Sequence, residues 1–198
     1  MTGVVVAGID LSLTSTGIAL AYWGMPHVQG ATGLETEGVD VHRVTSTGRA
    51  GASLDQRADR LEKLAREITE HVCSADLVVI EGPSFGQARQ GGQHDRSGLW
   101  WLIIDRAREA YGSQFVEVPP ATRAKYATGK GNAPKDQVLA AVVKRYPDVD
   151  VTGNDVADAL VLAAMGARHL GHPIEASLPQ LHLDAMTKIR WPERNPVQ

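Results

Sequence analysis

Two short apolar runs that each end in a carboxylate constrain this chain more than any other feature. Val4 to Ile9 closes on Asp10, and Leu77 to Ile80 closes on Glu81. Runs of this length, rich in β-branched residues and punctuated by Ser, Thr, Gly and Pro, read as buried strands. A carboxylate at the end of such a strand resists desolvation, so it needs a reason to be there. A third acidic station is Asp155 with Asp158 in TGNDVADALVLAA, three apart in a helical pattern and therefore on one face. Four carboxylates gathered together repel one another and are tolerable when a divalent cation neutralises them; oxygen-only ligands select hard ions such as Mg²⁺ or Mn²⁺. Phosphodiester cleavage is the chemistry such a cluster serves, with two cations sharing the activation of water and the stabilisation of the leaving oxygen. Asp10, nearest the middle, is the expected bridging ligand; Glu81 and Asp158 hold one ion each, and Asp155 assists.

The rest of the chain alternates strand and helix patterns. Strands are expected at about 4–10, 18–23, 39–45, 77–81 and 115–118, with 24–38 as a loop. Ser53 starts a helix to about residue 72, carrying Leu54, Leu61, Leu64, Ala65 and Ile68 at helical spacing. Gly82 to Gly98 is glycine-rich and polar, a loop too long to be mere connection. Helices follow at 99–110, 121–126, 134–146 and, capped by Asn154, to about 169. One α/β nuclease-sized domain spans 1–170, and 171–198 forms an extension in which Leu181, Leu183, Met186, Ile189 and Trp191 suggest a short amphipathic helix.

At 198 residues the chain can bury a core without disulfides. Its one cysteine, Cys73, is expected to pack in the core, as suits a reducing cytoplasm. No apolar run is long enough to span a bilayer, and no secretion signal is read at the N-terminus, so the expectation is a cytoplasmic protein with no membrane role. The net charge of −3 conceals a basic stretch: from Gly82 to Lys135 eight basic residues face four acidic ones. Arg89, Arg96, Arg123, Lys125, Lys130 and Lys135 are the expected phosphate contacts within it.

Asp10 in GID, Glu81 in VIE, the segment TGKGNAPKDQV and the closing DVADALVLAA resemble, in that order, the four stations of the RuvC family of Holliday junction resolvases. The resemblance implies a ribonuclease H-like fold with a mixed five-stranded sheet flanked by helices, in which the fourth strand lies parallel to the first. It further implies a Mg²⁺-dependent homodimer that cuts four-way DNA junctions with paired symmetric nicks. It gives Lys135 an active-site phosphate role and makes Phe85 an aromatic wedge at the junction centre. Helix 99–110, with Trp100, Leu102, Ile103 and Ile104, is the expected dimer interface because its apolar residues exceed one buried stripe. Two alternatives remain open: a ribonuclease H-like nuclease for flaps or RNA–DNA hybrids, and an actin-like or sugar-kinase-type ATP-binding protein, whose first phosphate loop GIDLSLTSTGIAL also resembles. The chain is short for the doubled fold of the latter.

Overall fold

Alternation along Val4–Asp10 (β1) sends Val5, Ala7 and Ile9 into one apolar cluster and Val6 into another, so this strand is buried on both faces. The computed structural model describes residues 3–26, 35–83 and 92–193. Beside β1 lie β2 (Ser15–Pro26), β3 (Glu35–Thr45), β4 (Leu77–Glu81) and β5 (Gln114–Val118), in the sheet order β3-β2-β1-β4-β5. The first three strands are antiparallel; β4 runs parallel to β1, and β5 parallel to β4. This is the mixed five-stranded sheet expected. Because Ile9 is paired with Ile80, Asp10 and Glu81 leave neighbouring parallel strands at one edge.

Helices α1 (Leu54–His71) and α2 (Gln93–Tyr111) cover the face that receives Ile9; α3 (Pro120–Thr128), α4 (Lys135–Arg145) and α5 (Asn154–Leu170) lie on the side that receives Val6. A capping box between Ser53 and Gln56 starts α1, whose buried stripe is Leu64, Ala65 and Ile68. Leu54, in its first turn, is instead 75% exposed, since that turn projects past the packed face. Cys73 is exposed rather than in the core: α1 has ended at His71, and the buried position beside it is Val72.

Helix α5 is buried from Val156 to Ala167 because the sheet lies on one side and α3, α4 and the C-terminal segment on the other. Two glycines permit its close approach. A Cβ at Gly8 would stand 2.1 Å from the Ala159 carbonyl oxygen, and one at Gly17 would stand 2.1 Å from that of Asp155. These contacts seat the start of α5 on β1 and β2, bringing Asp158 toward Asp10. Gly8→Ala is therefore expected to destabilise the protein by about 3 kcal/mol, the upper range for overpacking. An unchanged urea midpoint would show that α5 can shift to absorb the methyl.

Several boundaries differ from the sequence expectations. Strands β2 and β3 are longer, through an irregularity after Tyr22 where Gly24 adopts φ 64°, so less of 24–38 is loop. Helix α2 begins at Gln93, six residues early, after Gly92 at φ 87°; Arg57 of α1 ion-pairs with Asp95 in its first turn. Helix α5 is capped by Gly153 with no side-chain bond, and Asn154 is its first residue. The apolar surplus expected on α2 is absorbed internally: Leu99, Ile103, Ile104 and Ala107 are buried, whereas Trp101 and Tyr111 are exposed.

The C-terminal segment packs on this chain's own core. It forms a short helix α6 (Gln180–Leu183) and a 3-10 turn Met186–Lys188, and Ile174, Leu178, Met186, Ile189 and Trp191 lie against the α5 cluster. Buried Glu175 accepts hydrogen bonds from Tyr126, Tyr146 and Arg168, tying the segment to α3 and α5. Among the described residues no helix is long and apolar enough to cross a membrane.

Candidate active site

Asp10 from β1, Glu81 from β4 and Asp158 from α5 each place a carboxylate oxygen within 4.8 Å of the others. Glu81 and Asp158 are buried and Asp10 is partly so. The donor set contains oxygen alone, which suits a hard divalent cation and excludes the soft-ligand chemistry of thiolate sites. All three residues were expected from sequence, and the structure brings them together.

Asp155 is not part of that group. It faces β2 and β3, where Ser15 donates its hydroxyl to Oδ2, and the two Arg43 bonds, from Nε to Oδ2 and from Nη2 to Oδ1, are each 2.8 Å. The Val156 N–H adds a third partner at 3.0 Å. Burial alone would raise the Asp155 pKa, but these hydrogen bonds and the Arg43 charge outweigh it and hold the pKa below the usual value. Arg43 also lies over Gly153, where a Cβ would come within 2.7 Å of its Nη2.

Arg123, expected among the surface contacts to DNA, is an interior residue with 6% exposure. From α3 its guanidinium pairs with Asp158 and reaches Glu81 Oε1 at 3.4 Å. Its Nε is buried without a hydrogen-bond partner among the described residues. The cation-free cluster thus carries its own counter-charge. Helix α3 enters on Pro119-Pro120, which sets its first turn, and ends at Gly129 with φ 81°.

The remaining basic candidates surround this centre. Lys135, exposed at the start of α4, lies near enough for its charge to lower the pKa of Asp158. Lys125 is half-buried on α3, and Lys130 is exposed in the glycine turn that follows. Arg96 lies with Glu81 in the wall of a cleft beside the cluster. Among the described residues none of these four makes an ion pair. Phe85 and Arg89 lie outside the described residues. Sequence reasoning placed Trp100 in a dimer interface and not at this site, where its indole N–H donates to the Glu81 carbonyl at 3.3 Å, and gave no role to Arg43 or Ser15. Ser15 had a signal, its place in the turn directly after Asp10; Arg43 had none.

Burial pushes the Asp158 carboxyl up to about 6, helped by Glu81 and opposed by Arg123 and Lys135. Burial also raises Asp10 well above the ordinary value, reinforced by a hydrogen bond to Glu81 and repulsion from Glu81 and Asp158. Both groups hold protons in the cation-free fold at pH values where the unfolded chain has lost them. The stability they contribute is full below the unfolded carboxylate pKa and is lost as pH rises through the raised values. Asp155 and Asp95, whose pKa values are lowered, change stability only at lower pH. The melting temperature of cation-free protein is therefore expected to fall as pH rises from about 4 through about 6, opposed in the upper part by His71, whose burial lowers its pKa, and Mg²⁺ should restore it most at the upper end. A melting temperature that is flat across this window and indifferent to Mg²⁺ would contradict the assignment.

No family model and no curated protein matches the sequence. Solved structures do match in fold. Thermus thermophilus RuvC aligns at TM-score 0.61 and 18% identity, covering 85% of this chain and 97% of that one. The same protein in complex with Holliday junction substrate aligns at 0.59 and 17%, with 85% and 97% coverage. Fowlpox virus resolvase, in complex with substrate Holliday junction DNA, aligns at 0.52 and 12%, covering 84% and 98%. The chain accordingly has the ribonuclease H-like fold of the RuvC-type resolvases, with a buried acidic triad at the edge where β1 and β4 end.

Proposed function

We propose that this protein is a cation-dependent endonuclease that resolves four-way DNA junctions as a homodimer, by paired symmetric nicks, in the cytoplasm. The observation that carries this reading is the triad Asp10, Glu81 and Asp158, with Arg123 and Lys135 beside it, on a fold shared with two resolvases seen bound to Holliday junction DNA. Residues 1–170 serve as the nuclease unit and 171–198 as an accessory extension.

Asp10, Glu81 and Asp158 would hold Mg²⁺ or Mn²⁺. The cation, when bound, supplies activation of water and stabilisation of the leaving 3′-oxygen. The chain's own residues do the remaining work. The carboxylates order the centre, and Trp100 fixes the backbone of Glu81. Lys135 brings positive charge to the reacting phosphate, and Lys125 and Lys130 hold flanking phosphates. Among its described residues one chain offers one such triad, so two matched nicks in opposite strands need two copies, and a two-fold dimer fits a two-fold substrate.

The test is incubation with Mg²⁺ and end-labelled four-way junction, flap, duplex and RNA–DNA hybrid, with nick mapping and light scattering at micromolar protein. Paired symmetric nicks in the junction and twice the 21.2 kDa chain mass are expected. A monomer that makes single nicks in flaps or hybrids would replace this reading with that of another nuclease of the same fold.

A further inference from the structure

A cleft of about 190 Å³ opens directly beside the acidic triad and shares Glu81 with it. Leu11 and Pro83 contribute to its wall, and the two indoles of Trp100 and Trp101 meet edge to face at 4.8 Å, 87° apart. Trp100 is anchored by its bond to the Glu81 carbonyl, but Trp101 is 64% exposed and packs in no core. Among the described residues its ring meets only that of Trp100, which leaves most of an apolar indole in water at the mouth of the cleft.

Two charged side chains line the same cleft without partners. The side chains of Arg96 on α2 and Glu117 on β5 make no hydrogen bond or ion pair with any described residue, although opposite charges in one small cleft could pair directly. Glu117 is held in place by the chain it crosses. It is paired in register with Ile80, and its carboxylate lies over Gly82, where a Cβ would stand 2.4 Å from Oε1. Glycine at the position after Glu81 thus lets an acceptor reach the cleft beside the triad.

We infer that this cleft is a subsite for one unstacked guanine base of the strand being cut, in a nucleotide flanking the scissile phosphate. The inference rests on the nuclease function proposed above. Aromatic surface stacks on any base and gives no selectivity. Selectivity comes from the two charged groups. Guanine alone among the four bases offers adjacent N1–H and N2–H donors to a carboxylate acceptor, together with the O6 and N7 acceptors that a guanidinium reads. Thymine offers a single N–H donor between two carbonyls, which leaves the carboxylate poorly satisfied. The cleft is too small for a base pair, so the base enters unpaired, as at the opened centre of a branched structure.

The experiment places each of the four bases, and inosine, in turn at the positions on either side of the mapped nick. Cleavage is expected to be about tenfold faster with guanine at one of these positions, about 1.4 kcal/mol. Inosine, lacking the N2 amine, should lose most of that advantage. Glu117→Gln should flatten the preference, and Trp101→Ala, at an exposed position that the fold does not need, should slow cleavage of all substrates about tenfold. A parallel titration of tryptophan fluorescence with dGMP and dTMP, without cleavage, should show tighter quenching by dGMP, abolished in Trp101→Ala. Equal rates for all bases, or a guanine preference that survives Glu117→Gln, would overturn the subsite while leaving the nuclease function standing. Absence of cleavage on every DNA would sink the nuclease function, and equal quenching by dGMP and dTMP would then overturn the cleft as well.

Discussion

Asp10→Asn, Glu81→Gln and Asp158→Asn are each expected to lower the single-turnover cleavage rate of a four-way junction by about a thousandfold or more. That is the scale seen when a group acting on transition-state charge is removed. Junction affinity should stay within a few fold, because binding rests on phosphate contacts by Lys125, Lys130 and Lys135 and not on carboxylates. The three side chains come from β1, β4 and α5, yet their oxygens share one 4.8 Å cluster, so the losses should be of similar size. Asp155→Asn should cost much less, since Asp155 is engaged by Arg43 and Ser15 away from that cluster. Rapid-quench cleavage beside gel-shift affinity separates the two effects. Wild-type rates in all three triad variants would remove the active-site assignment, and an Asp155 variant as inactive as they are would place Asp155 at the reacting centre.

The second large effect concerns Arg123. Its guanidinium sits between Glu81 and Asp158 and supplies the positive charge that a cation would otherwise provide. Arg123→Gln leaves three clustered carboxylates without it. Breaking a buried pair in this way costs roughly 3–5 kcal/mol, which for a chain of this size lowers the melting temperature on the order of 10 °C. Mg²⁺ or Mn²⁺ should restore more of that loss in the variant than it adds to wild type, because the cation no longer competes with a tethered one. Calorimetric titration should show tighter cation binding by Arg123→Gln, roughly tenfold. Cleavage should nonetheless be slower, as a charge beside the reacting phosphate is lost. Opposite signs for cation affinity and rate distinguish this role from a structural one; weaker cation binding in Arg123→Gln would contradict it.

Much of the centre was legible in the order of residues. Val4 to Ile9 and Leu77 to Ile80 have nowhere to go but a two-sided sheet interior, and a strand that ends in a carboxylate must deliver it to the sheet edge. Asp158 follows from helical spacing in a segment apolar on every side. Lys135 was carried by motif. Arg123 was misplaced because an arginine in a short polar segment looks like any surface arginine; its burial depends on partners 42 and 35 residues away in sequence. Asp155 was grouped with Asp158 on helical spacing and the resemblance of DVADALVLAA, whereas Arg43, 112 residues distant, draws it to the other side.

Local apolar periodicity by itself therefore determined the five strands and most of the covering helices, since burial of apolar surface reads out along the chain at periods of two and 3.6 residues, whereas the parallel pairing that brings Asp10 and Glu81 to one edge was implied by the family resemblance. Which charges pair was decided only by the tertiary structure. Ion pairs and close approaches such as Gly8 on Ala159 join segments far apart in sequence, and no local pattern encodes them. That is why Arg123 inside the triad, Asp155 held against β3, Cys73 on the surface and Trp101 at the mouth of a cleft emerge only from the folded chain.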